Sequence, residues 1–127
     1  MSVPSDLRYT TDHEWLRLDG DDAVIGITAY AADQLGDIVF VELPEVGRTI
    51  AGAAAFGVVE SVKAVSDLFA PIGGEVVATN PDLAGSPELV NSDPYGGGWM
   101  VRLRVADPSQ VADLLDPDAY DALIAAG

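Results

Sequence analysis

Phe56-Gly57-Val58-Val59-Glu60-Ser61-Val62-Lys63-Ala64-Val65-Ser66-Asp67-Leu68-Phe69 is the stretch on which the reading of this sequence turns. The runs Phe56 to Glu60 and Val65 to Phe69 are nearly matched in length and rich in β-branched and aromatic residues. A small group centred on Val62-Lys63-Ala64 separates them, so they predict a β-hairpin with Lys63 at its tip. Lys63 is the only lysine; the other five bases are Arg8, Arg17, Arg48, Arg102 and Arg104. An alkylammonium with an ordinary pKa of about 10.4 is a poor nucleophile at neutral pH, and no neighbour in sequence suggests a pocket that would lower it. An exposed tip instead lets a ligase reach the amine, and amide formation removes its charge. The position suits modification better than catalysis, although a solvated lysine in a turn is by itself an ordinary surface feature.

The flanking sequence continues the β pattern. Glu14 to Leu18 and Ala23 to Ile27 bracket the turn signal Asp19-Gly20-Asp21-Asp22 and predict a second hairpin. Thr28 is placed to cap a short helix over Ala29 to Leu35, with Gly36 to end it. Ile38 to Leu43, Gly74 to Thr79 and Trp99 to Val105 are further short β-rich runs bounded by turn formers, a spacing typical of a sandwich or barrel. Near the C-terminus, Asp107-Pro108 and Asp116-Pro117 each place a capping carboxylate before a proline suited to the first helical position, and so predict two short helices. Leu114, Leu115, Leu123 and Ile124 supply their apolar stripes. The Gly96-Gly97-Gly98 run reads as a turn, and Trp15 and Trp99 as core anchors.

The chain's 127 residues are enough for one core and too few for two. The expectation is one domain over 1–127, with a core of about residues 20–105 and C-terminal helices of about 107–126. No stretch approaches the roughly 20 apolar residues of a membrane span. Met1 to Leu7 lacks the features of a secretory or transit signal, so the cytoplasm is the expected compartment. Without cysteine the polypeptide has no disulfide, thiolate ligand or thiol nucleophile of its own. A formal charge of −15, from 21 acids and 6 bases, argues against nucleic acid and anionic membranes as partners. It keeps the protein soluble and would favour basic patches on partner proteins. His13, between Asp12 and Glu14, is the only histidine; strand neighbours point to opposite faces, so neither a metal site nor a catalytic base is expected there. Ser66 and Asp67 lack a base to complete a triad. No catalytic and no metal-binding residue is assigned.

Glu60-Ser61-Val62-Lys63-Ala64-Val65-Ser66-Asp67 resembles the lipoylation segment of the glycine cleavage H-protein family. The likeness continues in order through His13-Glu14-Trp15, Val24 to Ile27, Leu35-Gly36-Asp37-Ile38-Val39, Leu43-Pro44-Glu45-Val46-Gly47, Pro71 with Gly74-Glu75-Val76-Val77, and Leu89 to Tyr95 ending at Gly98-Trp99. It spans roughly Tyr9 to Tyr120. Gly47 and Gly74, on either side of Lys63, match turn glycines of the wider lipoyl and biotinyl superfamily, where positive φ is in demand. Biotinyl domains usually flank their lysine with methionine; Val62 and Ala64 here favour lipoate. Gly73 stands where the family often has serine, and Arg102 and Arg104 where it often has lysine.

The resemblance implies a mainly β fold, the flattened antiparallel barrel or sandwich called the lipoyl-domain hammerhead, with a short internal helix and two short C-terminal helices. It implies a non-catalytic, acidic, monomeric carrier with lipoate amide-linked to Lys63. In glycine catabolism and one-carbon metabolism, such an arm takes an aminomethyl group from the pyridoxal phosphate enzyme glycine decarboxylase. It passes the group to a folate-dependent aminomethyltransferase and is reoxidised by dihydrolipoamide dehydrogenase. A lipoate ligase or a lipoyl/octanoyl transferase would load it. The arm extends on the order of 14 Å, and Glu14 and Asp67 match acidic positions that would hold its loaded ammonium in a cleft. A lipoyl relay serving other carrier domains, a biotin carrier and a Schiff-base enzyme built on Lys63 are the alternatives.

Overall fold

The computed structural model describes residues 3–126; residues 1, 2 and 127, which include the start of the Met1 to Leu7 segment, lie outside it. The strands are β1 (Arg8–Tyr9), β2 (Glu14–Asp19), β3 (Asp22–Ile27), β4 (Ile38–Glu42), β5 (Thr49–Ile50), β6 (Ala55–Ser61), β7 (Val65–Phe69), β8 (Gly74–Thr79) and β9 (Val101–Val105). The helices are α1 (Ala29–Leu35), α2 (Asp82–Gly85), α3 (Leu89–Ser92), α4 (Ser109–Ala112) and α5 (Pro117–Ala126).

All pairings are antiparallel. A six-stranded sheet runs β1-β2-β3-β9-β8-β5, and a three-stranded sheet runs β4-β6-β7. Leu16, Ile25, Val76 and Leu103 of the larger sheet share a buried cluster with Ile38, Val41, Val59 and Leu68 of the smaller one. The fold is therefore a sandwich whose two sheets stay separate, and the barrel is not closed. A second cluster covers the outer face of the larger sheet, where α5 brings Tyr120 onto Leu7, Tyr9, Trp15 and Val24. Tyr9 and Tyr120 stack with ring centroids 4.6 Å apart. Trp15 is fully buried there and its indole N–H donates to the Pro94 carbonyl; Trp99 packs on the same cluster but is only partly buried.

Local chemistry accounts for the helix ends. Thr28 Oγ1 accepts from the Ala31 N–H, as expected of an N-cap, and the Gly36 N–H closes the helix on the Ala32 carbonyl. Asp116 Oδ1 accepts from the Ala119 N–H at the start of α5, and Asp107 Oδ1 accepts from the Ser109 N–H beside α4. The Ser109 hydroxyl, and after it that backbone contact, hold the Asp107 carboxyl below its usual range.

Six boundaries or assignments differ from the sequence expectation. The last strand begins at Val101 instead of Trp99, because Asn80 Nδ2 donates to the Gly97 and Trp99 carbonyls and holds that approach out of the ladder. The two-residue β1 and β5 and the four-residue α2 and α3 were not expected. Gly74 does not take a positive φ as Gly47 does at +96°; it is needed because a Cβ there would strike the Arg104 carbonyl on the neighbouring strand.

Gly74→Ala should therefore lower stability by about 1–3 kcal/mol in urea unfolding, as overpacked sites do. Gly85→Ala, where a Cβ meets nothing within 4 Å, should stay within about 0.5 kcal/mol of the parent.

Candidate functional site

The tip of the β6–β7 hairpin is built by Ser61. Its backbone N–H donates to the Ala64 carbonyl at 2.8 Å, and its Oγ accepts from the N–H groups of Lys63 (3.3 Å) and Ala64 (3.0 Å). A serine hydroxyl folding onto the next backbone amides is a common way to fix a tight turn. The Val62 N–H donates to the Asp37 carbonyl at 3.0 Å, which ties the tip to the start of β4. Lys63 is exposed and makes no salt bridge among the described residues. Its stem passes over Gly36, with Cε 3.5 Å from where a Cβ on that glycine would stand. Gly36 is held from behind by Asn91, whose Nδ2 donates to the Gly36 carbonyl and whose Oδ1 accepts from the Ile38 N–H, both at 2.9 Å.

Beside the lysine stem runs a crevice of about 520 Å³ lined by Tyr30, Asp33, Gly36, Asp37 and Asn91. Tyr30 leans on His13, with ring centroids 4.9 Å apart, and so joins the crevice wall to the segment that carries Glu14.

Glu14 opens β2. In that strand Trp15 joins the outer cluster and Leu16 the inner one, so Glu14 shares the inner face with Leu16. Only 2% of it is exposed. Its Oε1 accepts from the Thr10 hydroxyl at 2.7 Å, and its Oε2 accepts from the Phe69 N–H of the edge strand β7 at 3.4 Å. Burial pushes the carboxyl up to about 7; the two hydrogen bonds oppose this in part, and Asp12 adds to it. At neutral pH the group is divided between acid and carboxylate, so a cation brought beside it would draw off the proton. Phe69 stands four residues along β7 from Val65, a run of about 13 Å.

Asp67 lies elsewhere. It is paired with Val58, whereas the neighbouring pair Val59–Ser66 carries the buried Val59. Asp67 therefore stands on the outer face of the small sheet, in a shallow depression with Glu42, Arg48 and Gly57. The structure does not bring the two carboxylates into one pocket; they flank β7 from opposite sides.

Three residues that matter here were not singled out from the sequence. Thr10 supports Glu14 twice, since its Oγ1 also accepts from the Glu14 N–H. Asn91 pins the loop under Lys63. The Tyr120 hydroxyl lies 2.8 Å from both His13 Nδ1 and Thr28 Oγ1, joining α5 to the N-cap of α1. His13 takes a left-handed φ of +69°, and its carbonyl accepts from the Thr28 N–H. Burial lowers its pKa, which suits a neutral ring in a structural hydrogen bond. Tyr120 as the sole aromatic of the last helix was the one available signal.

The sequence profile described as "Glycine cleavage H-protein" matches residues 7–126. The chain belongs to the glycine cleavage H-protein family. It is 66% identical over 122 residues to the glycine cleavage system H protein of Magnetococcus marinus, covering 96% of this chain and 87% of that one. It is 57% identical to the probable H protein of Haloarcula marismortui, covering 93% of each. The crystal structure of the H protein from Mycobacterium marinum superposes with a TM-score of 0.90 at 40% identity, covering 97% of this chain and 99% of that one. As a member of the H-protein family the chain has, among its described residues, no helix long and apolar enough to cross a membrane.

Two outcomes follow from this geometry. Tyr120→Phe should cost about 1–3 kcal/mol in chemical denaturation, because His13 Nδ1 and Thr28 Oγ1 lose a buried partner. Glu14, with its folded pKa above its unfolded one, binds its proton more tightly in the native state. Stability from this group is therefore lost as pH rises from about 4.5 to about 7. The difference in unfolding free energy between the parent and Glu14→Gln, which cancels the opposite contribution of His13, should turn against the parent across that range and level off above it.

Proposed function

We propose that this chain is the lipoyl carrier of a glycine cleavage system, with lipoate in amide linkage on Lys63. The observation that carries the reading is the lysine itself, exposed on a hydrogen-bonded hairpin tip beside a crevice, in a chain of the H-protein family. The residues fit the group: the amine is free of ion pairs among those described, the turn beneath it is fixed by Ser61 and Asp37, and Gly36 leaves room for an extended stem.

When bound, lipoate supplies a disulfide that accepts the aminomethyl unit of glycine and is later reoxidised. The protein's own residues hold and position. Glu14 offers a carboxylate to an ammonium at the seam between the sheets; where the carboxyl starts protonated, its proton passes to solvent as the ammonium enters and displaces water. Buried as it is, it makes that charge-assisted bond where water is excluded. The run from the hairpin tip to Phe69 is close to the reach of an acylated lysine side chain, which favours Glu14 as the contact for a loaded arm. Asp67 serves an arm laid across the opposite face of β7.

In this reading the whole chain is one carrier domain and not an enzyme. It works in the cytoplasm as a monomer. Its partners are the pyridoxal phosphate glycine decarboxylase, the folate-dependent aminomethyltransferase, dihydrolipoamide dehydrogenase, and the ligase or transferase that attaches lipoate.

Intact mass spectrometry of the native protein beside Lys63→Ala is the test. A lipoyl-sized increment on the parent that vanishes in the variant is expected. A biotin-sized increment, or a bare mass in cells that lipoylate other proteins, would sink the proposal. Omission of the protein from a reconstituted system should abolish glycine decarboxylation, whereas a lipoate relay would leave that activity intact.

A further inference from the structure

Large hydrophobic side chains stand exposed at seven described positions, and four of these, Val39, Phe40, Val62 and Val65, gather around the Lys63 tip. Their exposures are 53%, 49%, 68% and 67%. Phe40, Glu60 and Val65 face one another across β4, β6 and β7 on the outer side of the small sheet. Regular alternation would bury one of two consecutive residues, but the register shift between Ile38 and Phe40 leaves both Val39 and Phe40 in water. Folding gains nothing from an apolar group kept exposed, and four of them gathered about one hairpin tip, interleaved with carboxylates, mark a contact surface.

Charge says what kind of contact. The same face carries Glu42, Glu60 and Asp67 between its apolar residues, with Asp37 at its border and Arg48 at its far end beside Asp67. Arg102 and Arg104 are sorted to the other side of the molecule, the outer face of the six-stranded sheet, where Asp19 and Asp22 engage them. A second copy of this face would bring like charges together, so self-association is opposed.

We propose that the outer face of the β4-β6-β7 sheet, with Phe40 and Val65 at its centre, is the docking surface for enzymes that act on the Lys63 side chain. It fits a partner whose active-site mouth sets apolar pockets beside lysine and arginine, so that Phe40 and Val65 are covered while a cation meets the Glu60 carboxylate between them. The proposal rests on the carrier reading above. Fields of opposite sign orient the encounter, and the Phe40 and Val65 side chains are sealed from water once the lysine side chain has entered.

The test uses lipoate-loaded protein, verified by intact mass, with the pyridoxal phosphate glycine decarboxylase as partner. Phe40→Ser/Val65→Ser should raise the KM for the carrier at least tenfold while kcat stays within about twofold, the mark of lost binding that is uniform along the reaction. Its urea midpoint should match the parent's, since neither side chain is buried. Leu18→Ser, which removes an equally exposed hydrophobic residue at the β2–β3 hairpin, should leave KM unchanged. Glu60→Gln/Asp67→Asn should weaken the rise of KM with salt. An unchanged KM for the first variant, an equal rise for Leu18→Ser, or a dimer in sedimentation that the first variant abolishes would overturn the docking surface alone. A parent protein that takes no lipoyl group and supports no decarboxylation would overturn the carrier reading with it.

Discussion

The site depends on a carboxyl group taken out of water at the seam of two sheets. Glu14 sits on the inner face of β2 with one oxygen on Thr10 and the other on the Phe69 amide. That second bond reaches from the large sheet to the free edge of the small one. Removing an ionisable group from water is costly, and here the cost is offset only in part by two hydrogen bonds, which is why the pKa rises to about 7. A group held near its own titration point responds to a visiting charge, whereas a fully solvated carboxylate would be screened and already ionised. The same burial that weakens the native state at neutral pH is what, in the carrier reading, gives Glu14 a use.

Keeping such a group in place demands that its neighbours cannot relax. The Thr10 to Glu14 turn is closed by the Thr10 hydroxyl and by the left-handed His13. His13 is in turn held through its carbonyl by Thr28 and through its ring by Tyr120. Tyr120 arrives on α5, so the last helix does more than cover apolar surface: it locks the N-cap of α1 and the approach to β2 in one hydrogen-bonded group. At the other end of α1, Asn91 fixes Gly36 and Ile38 beneath the lysine stem. One short helix thus spans the crevice, with Thr28 anchored near the carboxyl group and Gly36 beside the lysine.

Much of this was legible in the sequence, and the exceptions have physical reasons. The β6–β7 hairpin, α1 with its Thr28 and Gly36 ends, and the Glu14 hairpin follow from local pattern and turn chemistry, which need no tertiary context. The four-residue α2 and α3 begin after Pro81 and Glu88, neither of which caps with its side chain, and β1 and β5 are too short to show a period; packing alone makes them. Lys63 was marked by composition, but Glu14 and Asp67 entered through the family resemblance, and sequence does not show burial. Strand parity did hold one clue. Asp67 alternates with Leu68, so once Leu68 is placed in the core Asp67 must face away from it. Gly74 matched a turn position of the superfamily, but the need for it is a carbonyl on the next strand, a contact that no local pattern reveals.

Composition supplies the last step. Every base but one is arginine, whose guanidinium stays protonated at any physiological pH and does not form amides under such conditions. In the carrier reading the chain therefore offers a single side-chain amine to an acylating enzyme, and the hairpin puts it where such an enzyme can reach. On that reading, selectivity among this chain's own side chains need not come from a ligase reading a long sequence; it is present in the choice of arginine elsewhere. Arg102 and Arg104 show what that choice preserves. They bridge β9 to Asp19 and Asp22 on the β2–β3 hairpin, and Arg102 meets both carboxylates with its planar fork. A lysine would carry the same charge, but it would forfeit that two-point geometry and add a competing amine.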